Sequence, residues 1–342
     1  MRLLGVELVR LRSRRAYWLL VVLALAGALL AVGASVNDAR PPTAGEIAEA
    51  QRLVDQELNQ PYVQEELERC EESQADGETE LYPPDFDCND ILPRLEYYLY
   101  YEEPNFVDDL QELVPAVALM LALAGALVGA TFVGAEWAAG TIGTHLLFEP
   151  RRGRVFAAKA GAVAIGLALP ALVALGVVYL STWLAASEWG STELVSTSYE
   201  FSEDFQTEVI TAVSWLDLGL MGVRALLLVA GAAVGGYVLA MAFRSSLAAV
   251  GTVAAYGLVG EGLVRALWGG VPPWLLSSRV SAWMLLGGYD IVEYPESCNT
   301  GAGPCEPDIV TLSALDGGLY LGGLLAAGLL VSYVLFRRRD VT

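Results

Sequence analysis

Six apolar blocks, each long enough to cross a bilayer, constrain this chain more than any other feature. They cover residues 17–35, 113–134, 156–186, 221–243, 247–268 and 317–336. A helix of about 20 residues spans the roughly 30 Å of hydrocarbon in a membrane. Hydrophobic residues make up 55% of the 342 residues, and the mean hydropathy is +0.47, which is beyond the ordinary globular range. The sequence therefore predicts an all-α polytopic membrane protein with six transmembrane helices.

The charges between these blocks separate into two sides. One side, which we call the basic side, comprises residues 1–16, 136–159, the turn at Arg244 and residues 337–342, and it holds 13 basic residues and four acids. The other, the acidic side, comprises residues 36–112, 187–218 and 269–316, with 22, 7 and 6 acids. An excess of Lys and Arg marks cytoplasmic loops. We therefore expect a multi-pass protein of the plasma membrane with both termini in the cytoplasm.

All four cysteines lie on the acidic side, as Cys70 with Cys88 and Cys298 with Cys305. An even number of cysteines in extracytoplasmic segments usually forms disulfides, and two local bridges are the simplest pairing. Two other pairings remain open. A metal site is not expected, because neither pair has C-x-x-C spacing and no His lies on this side.

The acidic side also carries two larger segments. Residues 36–112 form an acidic domain whose helical pattern runs through Ile47, Ala50, Val54 and Leu58. Its residues Asp85, Asp87, Asn89 and Glu96 match part of a calcium loop, but Asp90 replaces the Gly that the turn requires, so a solvated acidic loop is favoured. Residues 269–316, broken by Pro272 and Pro273, are expected to form a re-entrant hairpin and an outer loop.

The N-terminal 16 residues predict an amphipathic helix on the membrane surface, with Leu4, Leu8 and Leu11 on one face and Arg10 and Arg14 on another. A cleaved secretory signal is the alternative, because basic residues followed by an apolar run also describe one. The amphipathic pattern favours an uncleaved anchor, residues 17–35.

Two charges lie in the fifth block, where Glu261 and Arg265 are one helical turn apart. Charges inside a membrane are costly and often functional. They form either an ion pair, as the i, i+4 spacing indicates, or part of a polar translocation path. Small residues at helix-packing spacing, such as Gly125 and Gly129, Gly231 and Gly235, and Gly318 and Gly322, indicate close helix contacts.

Enzyme signatures are missing from the sequence. His145 is its one histidine, so no histidine pair can bind zinc and no triad can form around a second base. Lys159 is its one lysine, and it stands outside any phosphate-binding P-loop pattern. We expect no catalytic residue, no metal and no bound cofactor, and no pattern indicates nucleic-acid binding. ATP and Mg²⁺, where used, are bound by another chain.

The polar stretch between the second and third blocks reads EWAAGTIGTHLLFEPRRGRVFAAK. It predicts a short helix that ends at Pro150, with an apolar face of Ile142, Leu146 and Leu147. Such a helix docks on a partner or lies on lipid, and the basic turn after it suits both.

The chain resembles the permease subunits of type-2 ABC transporters. The resemblance rests on the start MRLLGVELVRLRSRRAYW, the E-x-x-x-G-T pattern of Glu136, Gly140 and Thr141, the residues Leu147, Pro150, Arg154 and Lys159, the ending FRRRDVT, and the order of the spans. It implies an elbow helix over 1–16, a cytoplasmic coupling loop over 135–155, outer loops at 187–220 and 269–316, and a tail over 337–342. The acidic 36–112 insert is longer than the loop that many members have.

The resemblance also implies a function and partners. The chain would be the non-catalytic membrane subunit of an ATP-driven exporter of a hydrophobic or amphipathic compound. Its partners would be two copies of an ATP-binding subunit, a second permease subunit, identical or different, and membrane lipid. The residues expected to contact the ATPase are Glu136, Gly140, Thr141, Leu146, Leu147, Glu149, Pro150 and Arg151.

Two other functions remain open on the sequence alone. An ion-coupled secondary transporter would use an essential ionisable group in the membrane, for which Glu261 is the candidate. A non-transporting scaffold would bind a partner through residues 36–112 and use its helices only as an anchor.

Overall fold

Six helical segments of the described chain are long and apolar enough to cross a membrane, which confirms the predicted number of candidate spans. The computed structural model describes residues 2–76, 82, 86–99, 101, 103–201, 206–268, 272–293 and 308–338. The spans are Arg15–Ala39, Phe106–Ala138, Arg152–Trp189, Trp215–Phe243, Ser246–Leu267 and Ala314–Arg338. We therefore treat the chain as a polytopic membrane protein.

The helices follow one another in an order that alternates between spans and shorter surface elements. They are α1 (Arg2–Arg12), α2 (Arg15–Ala39), α3 (Ala44–Leu58), α4 (Pro61–Asp76), α5 (Leu95–Tyr98), α6 (Phe106–Ala138), α7 (Thr141–Phe148), α8 (Arg152–Gly166), α9 (Ala168–Trp189), α10 (Trp215–Phe243), α11 (Ser246–Ala255), α12 (Val264–Trp268), α13 (Leu276–Met284) and α14 (Ala314–Arg338). A 3₁₀ turn covers Cys88–Ile91, and a π-helical stretch, Tyr256–Leu263, joins α11 to α12.

Helices α6 and α10 form the centre of the bundle, because small residues bring their backbones together. A Cβ atom placed on Gly129 would lie 2.8 Å from the Tyr237 backbone nitrogen and still closer to the Ala233 carbonyl oxygen. Gly236 meets the backbone of Ala126 in the same way. Close approach through small residues is the usual means of helix association in lipid, where apolar side chains gain little by avoiding the solvent.

The glycine pairs that the spacing predicts to make close helix contacts do not all make them. Gly125 and Gly129 both face α10, as expected, whereas a Cβ on Gly235 would meet nothing within 4 Å, and its neighbour Gly236 makes the contact instead. Gly318 packs on the Trp283 ring, while Gly322 faces open space. The i, i+4 pattern locates small residues on a helix, but it does not identify which of them faces a neighbour.

The third span is two helices rather than the single one predicted over 156–186. Helix α8 ends at Gly166 and α9 begins at Ala168. Pro170 has no N–H to donate to the carbonyl of Gly166, four residues earlier. The Tyr17 hydroxyl of α2 donates to that carbonyl instead, at 2.8 Å. The break therefore leaves no unsatisfied carbonyl at Gly166, and the hydrogen bond fixes α2 against the third span.

The remaining spans lie at the edge of the bundle. Buried residues make up 61% of the most apolar stretch of α6, but only 6% of that in the fifth span and 11% of that in the sixth. The faces that these spans leave open are covered by lipid or by another protein chain.

On the acidic side, α3 and α4 form a helical hairpin, in which Ala50 and Val54 are buried as the apolar pattern predicts and Ile47 is exposed. A disulfide joins Cys70 to Cys88 with an S–S distance of 2.05 Å, as predicted, while Cys298 and Cys305 lie outside the described residues. Asp87 caps the 3₁₀ turn by accepting from the Asn89 N–H. The described residues contain no group of three metal-ligating side chains, and Asp85 lies outside them.

The described chain is mostly helical, in agreement with the predicted all-α class, and two antiparallel ribbons also stand on the acidic side. Strands β1 (Val195–Phe201) and β2 (Gln206–Ala212) pair in the loop after α9, and β3 (Tyr289–Glu293) pairs with β4 (Asp308–Leu312) before α14. The expected re-entrant hairpin is one short helix, α13, followed by the second ribbon. The alternation of apolar and polar residues in these segments is weak, so it does not predict strands.

Substitution of Gly129 by Ala tests the close packing of α6 on α10. The added methyl group cannot fit without separating the two backbones, and overpacking of this kind costs about 1–3 kcal/mol. We expect a lower thermal unfolding temperature for Gly129→Ala in detergent. The matched control Gly235→Ala adds the same group in open space and should unfold no earlier than the wild type. Equal unfolding temperatures for the two variants would contradict this packing.

Candidate functional site

The short helix α7 lies between the second and third spans and is set by a sharp turn at Gly140. This residue has a φ of +66°, a left-handed conformation that favours glycine. The Thr141 hydroxyl donates to the Glu136 carbonyl at 3.3 Å, and α7 ends where the Glu149 N–H donates to the His145 carbonyl at 3.0 Å. The Gly140 turn and the bond from Thr141 join α7 directly to the end of α6.

The two faces of α7 have different surroundings. Ile142 is buried and Leu146 is half-buried against the core, so both point into the protein. Leu147 and Phe148 point outward with 82% and 90% of their surfaces exposed. Ile142, Leu146 and Leu147 therefore do not form one exposed apolar face, as predicted, because the first two point inward. The face available to a partner is Leu147 with Phe148, and the sequence reasoning missed Phe148.

The other residues predicted to contact a partner also differ in how exposed they are. Gly140, Thr141, Pro150 and Arg151 are exposed around α7, and Glu149 is half-buried. Glu136 is only 4% exposed in the last turns of α6, so it has no surface to offer to a docked protein. The prediction that Glu136 docks directly is corrected on this point.

Glu136 belongs instead to a buried ionic cluster, which consists of Glu7, Arg14, Glu136 and Lys159. The Lys159 ammonium has no solvent exposure and lies 2.8 Å from Glu7 Oε2 and 2.7 Å from Glu136 Oε2. Arg14 Nη2 lies 3.1 Å from Glu136 Oε1. The cluster therefore holds four charges of balanced sign, drawn from α1, the α1–α2 junction, α6 and α8.

An aromatic ring completes the surroundings of the two cations. The ring centroid of Phe132 lies 4.8 Å from the Arg14 guanidinium carbon and 5.1 Å from Lys159 Nζ. Because Phe132 is itself buried, the cation–π attraction acts away from water, where such contacts are strongest. Charges in such a place are stable only as a set, since removal of one leaves its partners buried and unpaired.

His145 connects α7 to α1, because its ring nitrogens face the Arg10 guanidinium, while Arg10 also lies 3.4 Å from Glu7. A neutral imidazole has one nitrogen that can accept from arginine, whereas a protonated one has none. Burial, followed by the positive charges of Lys159 and Arg10, lowers the pKa of His145 below its usual 6.5. Helix α7 thus contacts α1 through His145 and Arg10, and Arg10 lies beside Glu7 of the ionic cluster.

The start of α8 also contacts the last span. Arg152 donates to the carbonyl oxygens of Phe336 and Arg337 at 3.0 and 3.2 Å. An arginine suits this position, because the last carbonyls of a helix lack partners and carry partial negative charge. The segment that follows α7 is therefore bonded to the C-terminal end of α14.

The candidate translocation residues Glu261 and Arg265 lie apart from this site, at the acidic-side end of the fifth span. They are 3.6 Å apart, as the i, i+4 spacing predicts. Glu261 also accepts from the Ser277 N–H and hydroxyl, at 3.0 and 2.6 Å, and from the Tyr256 hydroxyl at 3.1 Å. Its carboxylate thus holds the N-terminus of α13 against the π-helical stretch.

The fold and the site define a polytopic membrane protein that presents a short apolar helix at the water-facing end of its second and third spans. Comparison of the chain with protein-family models, with curated proteins and with solved structures finds no match.

Substitution of Lys159 by Met tests the ionic cluster. Removal of one member of a buried ion pair costs about 3–5 kcal/mol, and we expect a fall in thermal stability of that order in detergent. The double variant Lys159→Met with Glu7→Gln restores the charge balance and should recover part of the loss, as a coupled pair does. Additive effects of the two changes would show that Lys159 and Glu7 do not interact.

Titration of His145 tests its contact with Arg10. Because the chain has one histidine, its imidazole resonances are unambiguous in an NMR titration of the purified protein. We expect a pKa below 6.5, since the folded protein binds this proton less readily than the unfolded chain. The stability that neutral His145 contributes is therefore present above pH 6.5 and lost as the pH falls through the folded-state pKa.

A pair of arginine variants controls that titration. Arg10→Gln removes one of the positive charges beside the ring and should raise the pKa of His145. Arg12→Gln, on an exposed position of the same helix, should leave it unchanged. A pKa at or above 6.5 in the wild type would contradict the arrangement.

Proposed function

We propose that this chain is the membrane subunit of an ATP-driven transporter, and that α7 is the surface on which a separate ATP-binding subunit docks. The observation that carries the proposal is the exposure of Leu147 and Phe148 at the end of a helix whose other face is anchored in the protein. Where water surrounds two large apolar side chains, a partner that buries them gains roughly 25 cal/mol per Å² of surface covered. The resemblance of the loop to type-2 ABC permeases supports the identity of that partner.

The contacts around α7 support a mechanical role. A push on α7 would pass to α6 through the Gly140 turn, to α1 through His145 and Arg10, and to α8 through the cluster around Lys159. Since α6 is interlocked with α10, the displacement would move several spans as a unit. Rigid-body motion of this kind is a standard means of switching a transport pathway between the two sides of a membrane.

The remaining parts of the proposal follow from the composition of the complex. ATP and Mg²⁺ would be bound by the ATPase subunits, of which two copies would act on two permease subunits. The open faces of the fifth and sixth spans provide surface for a second permease subunit. The cargo would be a hydrophobic or amphipathic compound, such as a lipid, a drug or a peptide, and export is the proposed direction.

Purification from the native membrane tests the docking surface. We expect a P-loop ATPase to co-purify with the wild type and to be lost in the double variant Leu147→Asp with Phe148→Asp. The control pair is Val292→Asp with Ile309→Asp, two exposed apolar residues that face each other across the β3–β4 ribbon. It introduces the same charge at the other end of the molecule and should retain the ATPase.

Two results would contradict the proposal. Retention of the ATPase by the α7 variant would exclude Leu147 and Phe148 as the docking contact. Recovery of the wild type without any P-loop protein would favour the alternative in which α7 lies on lipid.

A further inference from the structure

Two arginines at the acidic-side end of the bundle, Arg224 of α10 and Arg279 of α13, differ from most of the other arginines described there. Arg40, Arg69 and Arg94 each pair with a carboxylate in the acidic-side domain, and Arg265 pairs with Glu261. Within the described part of the chain, no carboxylate lies within 4.0 Å of the guanidinium of Arg224 or Arg279. This is unexpected on a side of the molecule so rich in acids.

Both arginines lie against aromatic rings at the junction of α10, α13 and α14. The Arg224 guanidinium carbon is 5.7 Å from the Trp283 ring, and Trp283 Nε1 donates to the Arg224 carbonyl at 3.1 Å. Arg279, one helical turn before Trp283, lies 5.2 Å from the Tyr320 ring of α14. The rings position the two cations without neutralising them.

The nearest helix-terminal acids are already engaged. Asp217 accepts from the Ser214 N–H and hydroxyl at the start of α10, at 3.0 and 2.6 Å. Asp316 accepts from the Ser313 N–H and hydroxyl at the start of α14, at the same distances. Each carboxylate therefore caps its own helix and acts on its neighbouring arginine only at longer range.

Arg279 also has a buried donor without an acceptor. Its Nε is buried and has no hydrogen-bond partner among the described residues. A buried donor left unsatisfied is costly, and a charged one is costlier. Arg279 as a whole is only half-buried, so a ligand can approach its side chain, and an anionic oxygen is the acceptor to which a guanidinium binds best.

The position of the junction relative to the membrane indicates which anion is available. Arg224 is the fourth residue of the apolar block 221–243, so it lies about 5 Å inside the acidic-side end of that block at 1.5 Å per residue. From there its long side chain can reach the level of the headgroups. The apolar residues Leu220, Val223 and Leu227 beside it, and Leu319 on α14, are all exposed. Acyl chains would cover these side chains while a headgroup reaches the arginines.

We propose that the α10–α13–α14 junction binds the headgroup of an anionic phospholipid in the leaflet on the acidic side, with Arg224 and Arg279 as its ligands. The lipid phosphate accepts hydrogen bonds from the guanidiniums, and its chains lie along α10 and α14. The site does not depend on whether an ATPase docks at α7, since it lies at the other end of the spans.

Native mass spectrometry of the full chain, released from nanodiscs of mixed phosphatidylglycerol and phosphatidylcholine, tests this site. We expect the wild type to retain phosphatidylglycerol preferentially. Arg224→Gln and Arg279→Gln should each weaken that retention about tenfold, the value of one charge-assisted hydrogen bond. The control Arg52→Gln removes an exposed arginine of α3 on the same side and should leave the retention unchanged.

Further measurements separate a lipid site from its alternatives. Arg279→Lys keeps the charge but not the planar fork and should retain an intermediate amount of lipid. Size-exclusion elution and thermal unfolding of each variant show whether it is folded, and single variants that fold as the wild type does carry the test. Equal retention by the wild type and both folded arginine variants would overturn the proposal. So would complete displacement of the lipid by excess inorganic phosphate, which would indicate a site for free phosphate instead.

Discussion

The position of the fully buried Lys159 between Glu7 and Glu136 is the interaction on which the basic-side end of this molecule depends. An ammonium group deprived of water is tolerated only where carboxylates surround it. Here the carboxylates come from the surface helix α1 and from the end of α6, so the requirement of one lysine fixes the positions of three helices. Helix α7 is bonded to the end of α6 and, through His145, to Arg10 of α1, so its position depends on helices that the cluster joins.

The same principle of satisfied polar groups recurs through the bundle. The Tyr17 hydroxyl donates to the carbonyl that Pro170 leaves without a donor, and Glu261 accepts from the Ser277 N–H in the first turn of α13. In hydrocarbon an unsatisfied backbone group cannot turn to water, and such breaks persist only where another part of the protein supplies the partner. The irregular points of the structure are therefore also the points at which distant segments are joined.

The six spans could be predicted from the sequence because length and apolar character alone define them, and the Cys70–Cys88 bridge because its cysteines are close along the chain. The partners of Lys159 could not, since a sequence does not reveal which distant carboxylate meets a buried cation. A signal was nevertheless present: Glu7 stands among Leu4, Leu8 and Leu11, on the face of α1 that turns inward, where an unpaired acid would be costly. The orientation of α7 was missed for a related reason, because Ile142 and Leu146 are as apolar as Leu147 and only the tertiary structure shows which of them are covered.

We propose that α7 receives force from an ATPase. Site-specific photocrosslinking in intact native membranes tests this proposal most directly. A photoreactive phenylalanine analogue placed at Phe148 has its reactive group at the outermost point of the helix. We predict a crosslink from this position to a P-loop ATPase, identified by mass spectrometry of the joined peptides. Crosslinks to lipid alone, with no ATPase peptide recovered, would contradict the claim.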